Sequence, residues 1–209
     1  MDCKVVAECV IPTKFSDNSL FHLIGFEING VENQVVAFST RPYKDLANKV
    51  ITLRIHSACI TSEIFGSLKC DCKEQLNLSL KMISKKENGL LIYFMNHEGR
   101  GIGINNKIKA YKFQESGLDT IQANIALGLD VDKRDFSPAV LILKYFNIKN
   151  VQLITNNPNK IDVLIKSGIN IVKRIEQDIS PNVYSTAYLE TKINRMGHFM
   201  KQHKQCCSA

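Results

Sequence analysis

The chain has 209 residues, 44% of them hydrophobic, seven cysteines and a formal net charge of +7. That length and apolar content suffice for a packed core without disulfide stapling, and no apolar run reaches the ~20 residues needed to span a bilayer. Asp2 and Glu8 interrupt the N-terminal stretch where a signal peptide needs an apolar core, so a cytoplasmic chain with reduced thiols is expected.

In chain order, the segments VVAECVIPT, FHLIGFEI, VENQVVAFST and KVITLRIHS read as strands, separated by turn signals at Ser16-Asp17-Asn18 and Asn29-Gly30. The period changes after Glu74. Leu76, Leu80 and Ile83 predict a helix ending near Asn88-Gly89, and LLIYFM then reads as a buried strand. A helix over KIKAYKFQES follows, with Asn105 and Asn106 as capping candidates and Gly117 at its end, and Ser137-Pro138 opens another in an N-cap, N1 arrangement. VQLIT is a strand, Pro158 starts a helix through Ile161, Leu164 and Ile165 to Gly168, and INIVK is a strand. YLETKINRMGHFMKQHK has helical composition, with QCCSA expected to fray. The pattern predicts one α/β domain over residues 1–209, β-rich over roughly 1–73 and alternating helix and strand over 74–209, without a linker or repeat.

Chemistry concentrates in four runs. The first is RIHSACITSEIFGSLKCDCKEQL, in which Cys59, Cys70 and Cys72 form C-x10-C-x-C. In an extended strand Cys70 and Cys72 would point to one face, and Cys59 would close a third corner of a tetrahedral metal site with one position open. Buried thiols acting as small hydrophobes are the bland alternative, but Ser67, Lys69, Asp71, Lys73 and Glu74 make poor core neighbours. His56 is a candidate fourth ligand, or equally a group that contacts substrate or orients a ligand. Cys3, Cys9, Cys206 and Cys207 read as unremarkable thiols.

The second run, NHEGRGIGINNKIKAY, follows a buried strand with glycines that let backbone NH groups approach an anion, although its spacing matches no standard phosphate loop. The third, LDVDKRDF, offers Asp132 as a general base and Arg134 as a phosphate clamp, with solvated charges as the alternative. The fourth, LITNNPNKID, brings Thr155, a helix start at Pro158 and Lys160 together as a candidate phosphate pocket. Basic clusters at Lys107 and Lys109, at Lys133 and Arg134 and from Lys192 to Lys204 show no aromatic interleaving. A small phosphorylated ligand is therefore expected rather than nucleic acid or membrane, and most of the lysines read as solvated faces.

The combination of HS-x-C, CDC, EGRGIG, Y-x(8)-T, D-x-RDF and TNNP-x-K, in this order from AECVIPT to YLETKINRMGH, resembles the GTP cyclohydrolase II family, zinc enzymes that begin riboflavin synthesis. By position the resemblance implies zinc ligands Cys59, Cys70 and Cys72, and nucleotide contacts from Arg54, Ile55, His56, Ser57, Ala58, Gln75, Glu98, Gly99, Arg100, Thr120, Thr155 and Lys160. It implies Asp132 as proton acceptor, Arg134 as the residue that takes the nucleotidyl group, and Tyr111 near the reacting base. The implied reaction opens the imidazole ring of GTP, releases formate and pyrophosphate and leaves a diaminopyrimidine ribosyl 5′-phosphate; the resemblance also implies Mg2+ accompanying the triphosphate and a homodimer.

A guanidinium with a pKa above roughly 12 is an awkward nucleophile, so Arg134 reads equally as a clamp on departing pyrophosphate. Two departures from the family pattern bear on the base. Ala58 stands where many members carry Glu, and Gln122 where an acid is frequent, so a carboxylate acceptor for guanine is expected to be missing. Asn96-His97 replaces an Arg-Gln pair, and His97 reads as an added contact or a neutral change. Two rival readings follow: a diverged cyclohydrolase acting on another purine nucleotide or stopping at a formamido intermediate, and a catalytically silent nucleotide-binding protein stapled by zinc.

Overall fold

A computed structural model of the chain describes residues 2–15, 20–32 and 34–199. Seven strands form one sheet in the order β1-β2-β3-β5-β4-β6-β7, with β1 Cys3–Pro12, β2 Leu20–Ile28, β3 Val35–Ser39, β4 Val50–Ser57, β5 Gly89–Phe94, β6 Asn150–Ile154 and β7 Asn170–Ile175. The N-terminal strands and β5 pair antiparallel, while β5, β4, β6 and β7 run parallel. Asn29 and Gly30 turn the chain at the end of β2 with φ of 52° and 76°, the left-handed pair that a tight two-residue turn demands. The turn expected at Ser16-Asp17-Asn18 and the QCCSA tail lie outside the described residues.

The helices are α1 Ile60–Glu63, α2 Cys72–Ser84, α3 Glu98–Gly101, α4 Gly103–Glu115, α5 Thr120–Ala126, α6 Ser137–Tyr145, α7 Pro158–Lys166 and α8 Thr186–Met196. Strand alternation divides the core. Leu53, Ile55, Leu90, Ile92 and Phe94 face α6 and α7, packing with Ala139, Ile142, Leu143 and Leu164. Leu91 faces the other way, with Leu80 and Ile83 of α2. The same alternation turns Arg54 and His56 onto the α2 side, where both are buried. The link from β4 leaves toward β5 and the link from β6 leaves toward β7, so the carboxyl ends of β4 and β6 flank the crevice where parallel sheets bind ligands.

Three local expectations are corrected. Cys70 and Cys72 do not lie on an extended strand: Cys70 sits in a bend and Cys72 is the first residue of α2. Helix α4 begins at Gly103, so Asn105 and Asn106 lie inside it, and Asn106 donates to the Ile102 carbonyl at 3.0 Å. Ser137 is already helical in α6, and Asp135 outside the helix accepts from its NH at 2.8 Å and its hydroxyl at 2.6 Å. Helix α5 was not expected at all. A capping box starts it, in which Asp119 accepts from Ile121 and Gln122 NH groups while the Gln122 side chain accepts from Asp119 NH at 2.9 Å.

Candidate active site

The thiols of Cys59, Cys70 and Cys72 lie within 4.8 Å of one another, with Cys59 and Cys70 sulfurs 3.6 Å apart. A tetrahedral zinc at about 2.3 Å from each sulfur sets sulfurs about 3.8 Å apart, so the donor set fits a thiophilic divalent metal. Cys59 sits before α1 at the end of β4, and the bend into α2 supplies the other two. Hydrogen bonds from the Cys70 and Cys72 thiols, with Lys107 beside them, pull the Cys59 pKa far down. Hydrogen bonding to Cys59 and Cys70, then burial, and last the negative charge of those thiols push Cys72 well up. A bound cation removes that repulsion.

Two buried carboxylates brace the cluster. Glu63 accepts from Cys59 NH and from His56 Nε2, both at 3.0 Å, and from the Tyr93 hydroxyl at 2.6 Å. His56, the candidate fourth ligand, is therefore bonded to Glu63, and it is not in the thiol cluster. Burial keeps the His56 ring neutral and raises Glu63 to about 7. Glu98 takes the Ile60 NH and the Lys107 ammonium, each at 2.5 Å. Lys107 also donates to the Cys59 sulfur at 3.1 Å and to Thr61 at 2.8 Å, which makes it a direct neighbour of the thiol cluster.

Two cavities meet over this floor. The larger, about 330 Å³, is lined by the three cysteines, Ala58, Gly99, Thr120 and Tyr111. Tyr111 lies one helical turn beyond Lys107 on α4, and its hydroxyl is 3.4 Å from Thr61. The smaller cavity is cationic, lined by Arg54, Arg100, Arg134, Lys160 and Lys192 together with His56, Gln75 and Thr155. Ser57, Cys72, Arg100, Arg134 and Tyr188 line both.

The loop between β5 and α4 is strained where it meets the ligand space. Arg100 has φ of 66°, uncommon for a residue with a side chain, between Gly99 and Gly101 at 60° and 87°. A Cβ on Gly101 would come within 3.1 Å of Lys133, whose NH donates to the Arg100 carbonyl at 3.0 Å, so the EGRG and DKRD runs interlock. Asp132 then grips Arg134 with both oxygens, at 2.9 Å to Nε and 2.6 Å to Nη2. Burial opposes both charges, but this pairing outweighs it, lowering the Asp132 pKa and raising that of Arg134.

On β4, Arg54 donates to Gln75 at 2.7 Å and to the Ile154 carbonyl at 3.1 Å, and burial lowers its pKa to about 10. Lys160 reaches the Ile55 carbonyl at 2.9 Å from the start of α7; burial, with Arg54 and Arg134 nearby, depresses its pKa strongly. Ile55 itself points into the core, so only its backbone belongs to the site. Glu98 lines neither cavity, and its side chain serves Lys107 and Ile60.

Of the departures in sequence, expected in or beside the nucleotide pocket, Ala58 lines the larger cavity, while Gln122 lies beside it on α5, exposed and occupied in the helix cap, so it is not a lining residue. A glutamine accepts the Asp119 NH as a glutamate would. His97 is packed between Phe94 and Phe136, with ring centroids 4.3 and 5.2 Å away, and lies 3.3 Å from the Ser57 hydroxyl. Sequence reasoning missed Glu63, Tyr188 and Gln177 and read Lys107 and Lys192 only as basic clusters. The signal for Lys107 was its place four residues before Tyr111, on the same helix face.

The chain matches the GTP cyclohydrolase II family over residues 4–176. It is 45% identical to a GTP cyclohydrolase-2 of Histophilus somni over 98% of this chain and 94% of that protein. It is 44% identical to one of Pasteurella multocida, over 96% and 89%, and 40% identical to one of Haemophilus influenzae, over 98% and 94%. The α/β sheet, the three-thiol cluster and these relatives place the chain in the GTP cyclohydrolase II family.

Proposed function

We propose that the chain is a zinc-dependent GTP cyclohydrolase II that converts GTP to the diaminopyrimidine ribosyl 5′-phosphate, formate and pyrophosphate, opening riboflavin synthesis. One observation carries this reading. A cavity floored by three thiols joins a cavity walled by five cationic side chains, and Arg134 stands at the junction. A nucleoside triphosphate has this layout, with its base over the metal ligands and its phosphates among the cations.

Cys59, Cys70 and Cys72 would hold the zinc. When bound there, the metal supplies Lewis acidity and lowers the pKa of water toward about 7, which is what ring opening at carbon 8 of the purine needs. Lys107 and Glu98 hold Cys59 from behind. Tyr111, with its hydroxyl beside Thr61, serves proton exchange at the opening ring, and Thr120 and the Ala58 backbone bound the base. Arg54, Gln75, Arg100, Thr155 and Lys160 bind the phosphates, with Mg2+ accompanying them. Asp132 holds the Arg134 fork. In an attack by the guanidinium, an N–P bond to the α-phosphorus would form as the bond to pyrophosphate breaks, and Asp132 would take the proton lost from the nitrogen. Water would then cleave the N–P bond to leave the 5′-phosphate. The working form is a cytoplasmic homodimer. No described helix is long and apolar enough to cross a membrane.

The test incubates zinc-loaded protein with GTP, ATP and inosine triphosphate and measures formate, pyrophosphate and the pyrimidine product. Equimolar formate and pyrophosphate from GTP, with ATP inert, is the expected result. Turnover of ATP as fast as GTP, or accumulation of a formamido compound, would overturn the assignment.

A further inference from the structure

Helix α8, which follows the stretch of residues 4–176 matched by the family model, closes one wall of the site. Tyr188 and Lys192 are four residues apart and share one face of the helix. Lys192 is only 7% exposed, which removes it from the solvated basic tail. Its ammonium lies 2.7 Å from Asp71, between the two metal-loop cysteines, and 4.5 Å from the Tyr188 ring centroid, and its side chain lines the cationic cavity. Arg195 pairs with Asp119, the cap of the helix that carries Thr120, and Phe199 NH donates to the Asn156 carbonyl at 2.9 Å. The helix is thus pinned to both sides of the crevice.

The cavity it closes carries an imbalance of charge. Five cations line it, and among the described residues only Asp132 and Asp71 pair with any of them, holding Arg134 and Lys192. Arg100 is buried with neither terminal nitrogen hydrogen-bonded, and Arg54 Nε is in the same state. Buried guanidinium donors without acceptors are costly, so these groups are arranged for an anion with several oxygens. An ammonium has three donors, and the bond to Asp71 uses one of them.

We propose that Lys192 is a phosphate-binding residue of the substrate site, supplied by α8 beside Tyr188. The inference rests on the nucleotide site proposed above. It is tested on the zinc-loaded full chain with Lys192→Met, Lys192→Arg and the double variant Asp71→Asn/Lys192→Met, which leaves no carboxylate buried alone. Titration calorimetry with inorganic tripolyphosphate gives the affinity, and GTP kinetics give KM and kcat. Lys192→Met should weaken tripolyphosphate by about tenfold or more and raise KM by a similar factor, more than it lowers kcat, while Lys192→Arg retains most of the affinity. The double variant should bind as weakly as Lys192→Met. Parental affinity in the double variant would mean that Lys192 only neutralises Asp71, and would overturn the inference. So would unchanged tripolyphosphate binding in Lys192→Met by a protein that turns over GTP. Lys192-dependent tripolyphosphate binding by a chain that releases no formate from GTP would uphold this inference and overturn the proposed function.

Discussion

Replacing Lys107 by methionine removes the only ammonium that touches both a thiol of the candidate metal cluster and a buried carboxylate among the described residues. Glu98, 6% exposed at its side chain, keeps the Ile60 NH but loses its cation at 2.5 Å, and Cys59 loses a donor at 3.1 Å. Removing one partner of a buried pair typically costs about 3–5 kcal/mol, because the survivor is left charged in a dry site. For a domain near this size each kcal/mol shifts the midpoint by about 2–4 °C, so the zinc-loaded Lys107→Met protein should melt roughly 6–20 °C lower. The double variant Glu98→Gln/Lys107→Met removes both charges and should recover most of that loss. Zinc retention against a graded chelator should fall in both, since neither restores the donor to Cys59. A Lys107→Met protein that melts within about 2 °C of the parent and holds zinc equally well would refute the reasoning.

Arg134→Ala should cut pyrophosphate release by about a thousandfold, the usual loss when a group stabilising transferred phosphate is removed, and near-normal release would show that Arg134 serves neither role. Gln122→Ala should cost about 1 kcal/mol of stability through the α5 cap, Gln122→Glu almost nothing, and both should keep KM for GTP within about twofold. A changed preference among purine triphosphates in either would return Gln122 to the pocket. Burial, with Arg134 and Lys160 nearby, lowers the His97 pKa to about 3, so the folded protein stays neutral there while the unfolded chain takes up a proton below about 6.5. Its contribution is present above that pH and is lost toward 3, at up to about 1.4 kcal/mol per pH unit. Urea titrations across this window should show a shallower acid loss in His97→Gln, and an identical pH dependence would contradict it.

The parallel half of the sheet was legible because β-branched runs alternate with helical periods, and Pro158 and Gly168 punctuate α7 where the chain turns. His56 was legible beside the cysteine run and Arg54 only through the family resemblance, whereas their burial on one face of β4 came from the structure. What spacing left open was which short-range geometry carries the cysteines: the bend before α2 achieves convergence that a strand would also have given. Helix α5 escaped because it has 7 residues and a capping signal read instead as part of a pocket. The long-range pairs were illegible for a simpler reason. Lys192 and Asp71 are 121 residues apart, and nothing in the pattern of a basic C-terminal helix says which carboxylate it meets.

The central claim is that three thiols hold the metal that opens the purine ring, and formate release measures it directly. Parent and Cys70→Ser proteins, each stripped with chelator and then supplied with one equivalent of zinc, are given GTP. The account predicts that zinc restores formate release to the parent and none to Cys70→Ser, which retains less than one zinc after gel filtration. Formate release by the stripped parent, or by Cys70→Ser at the parental rate, would contradict it.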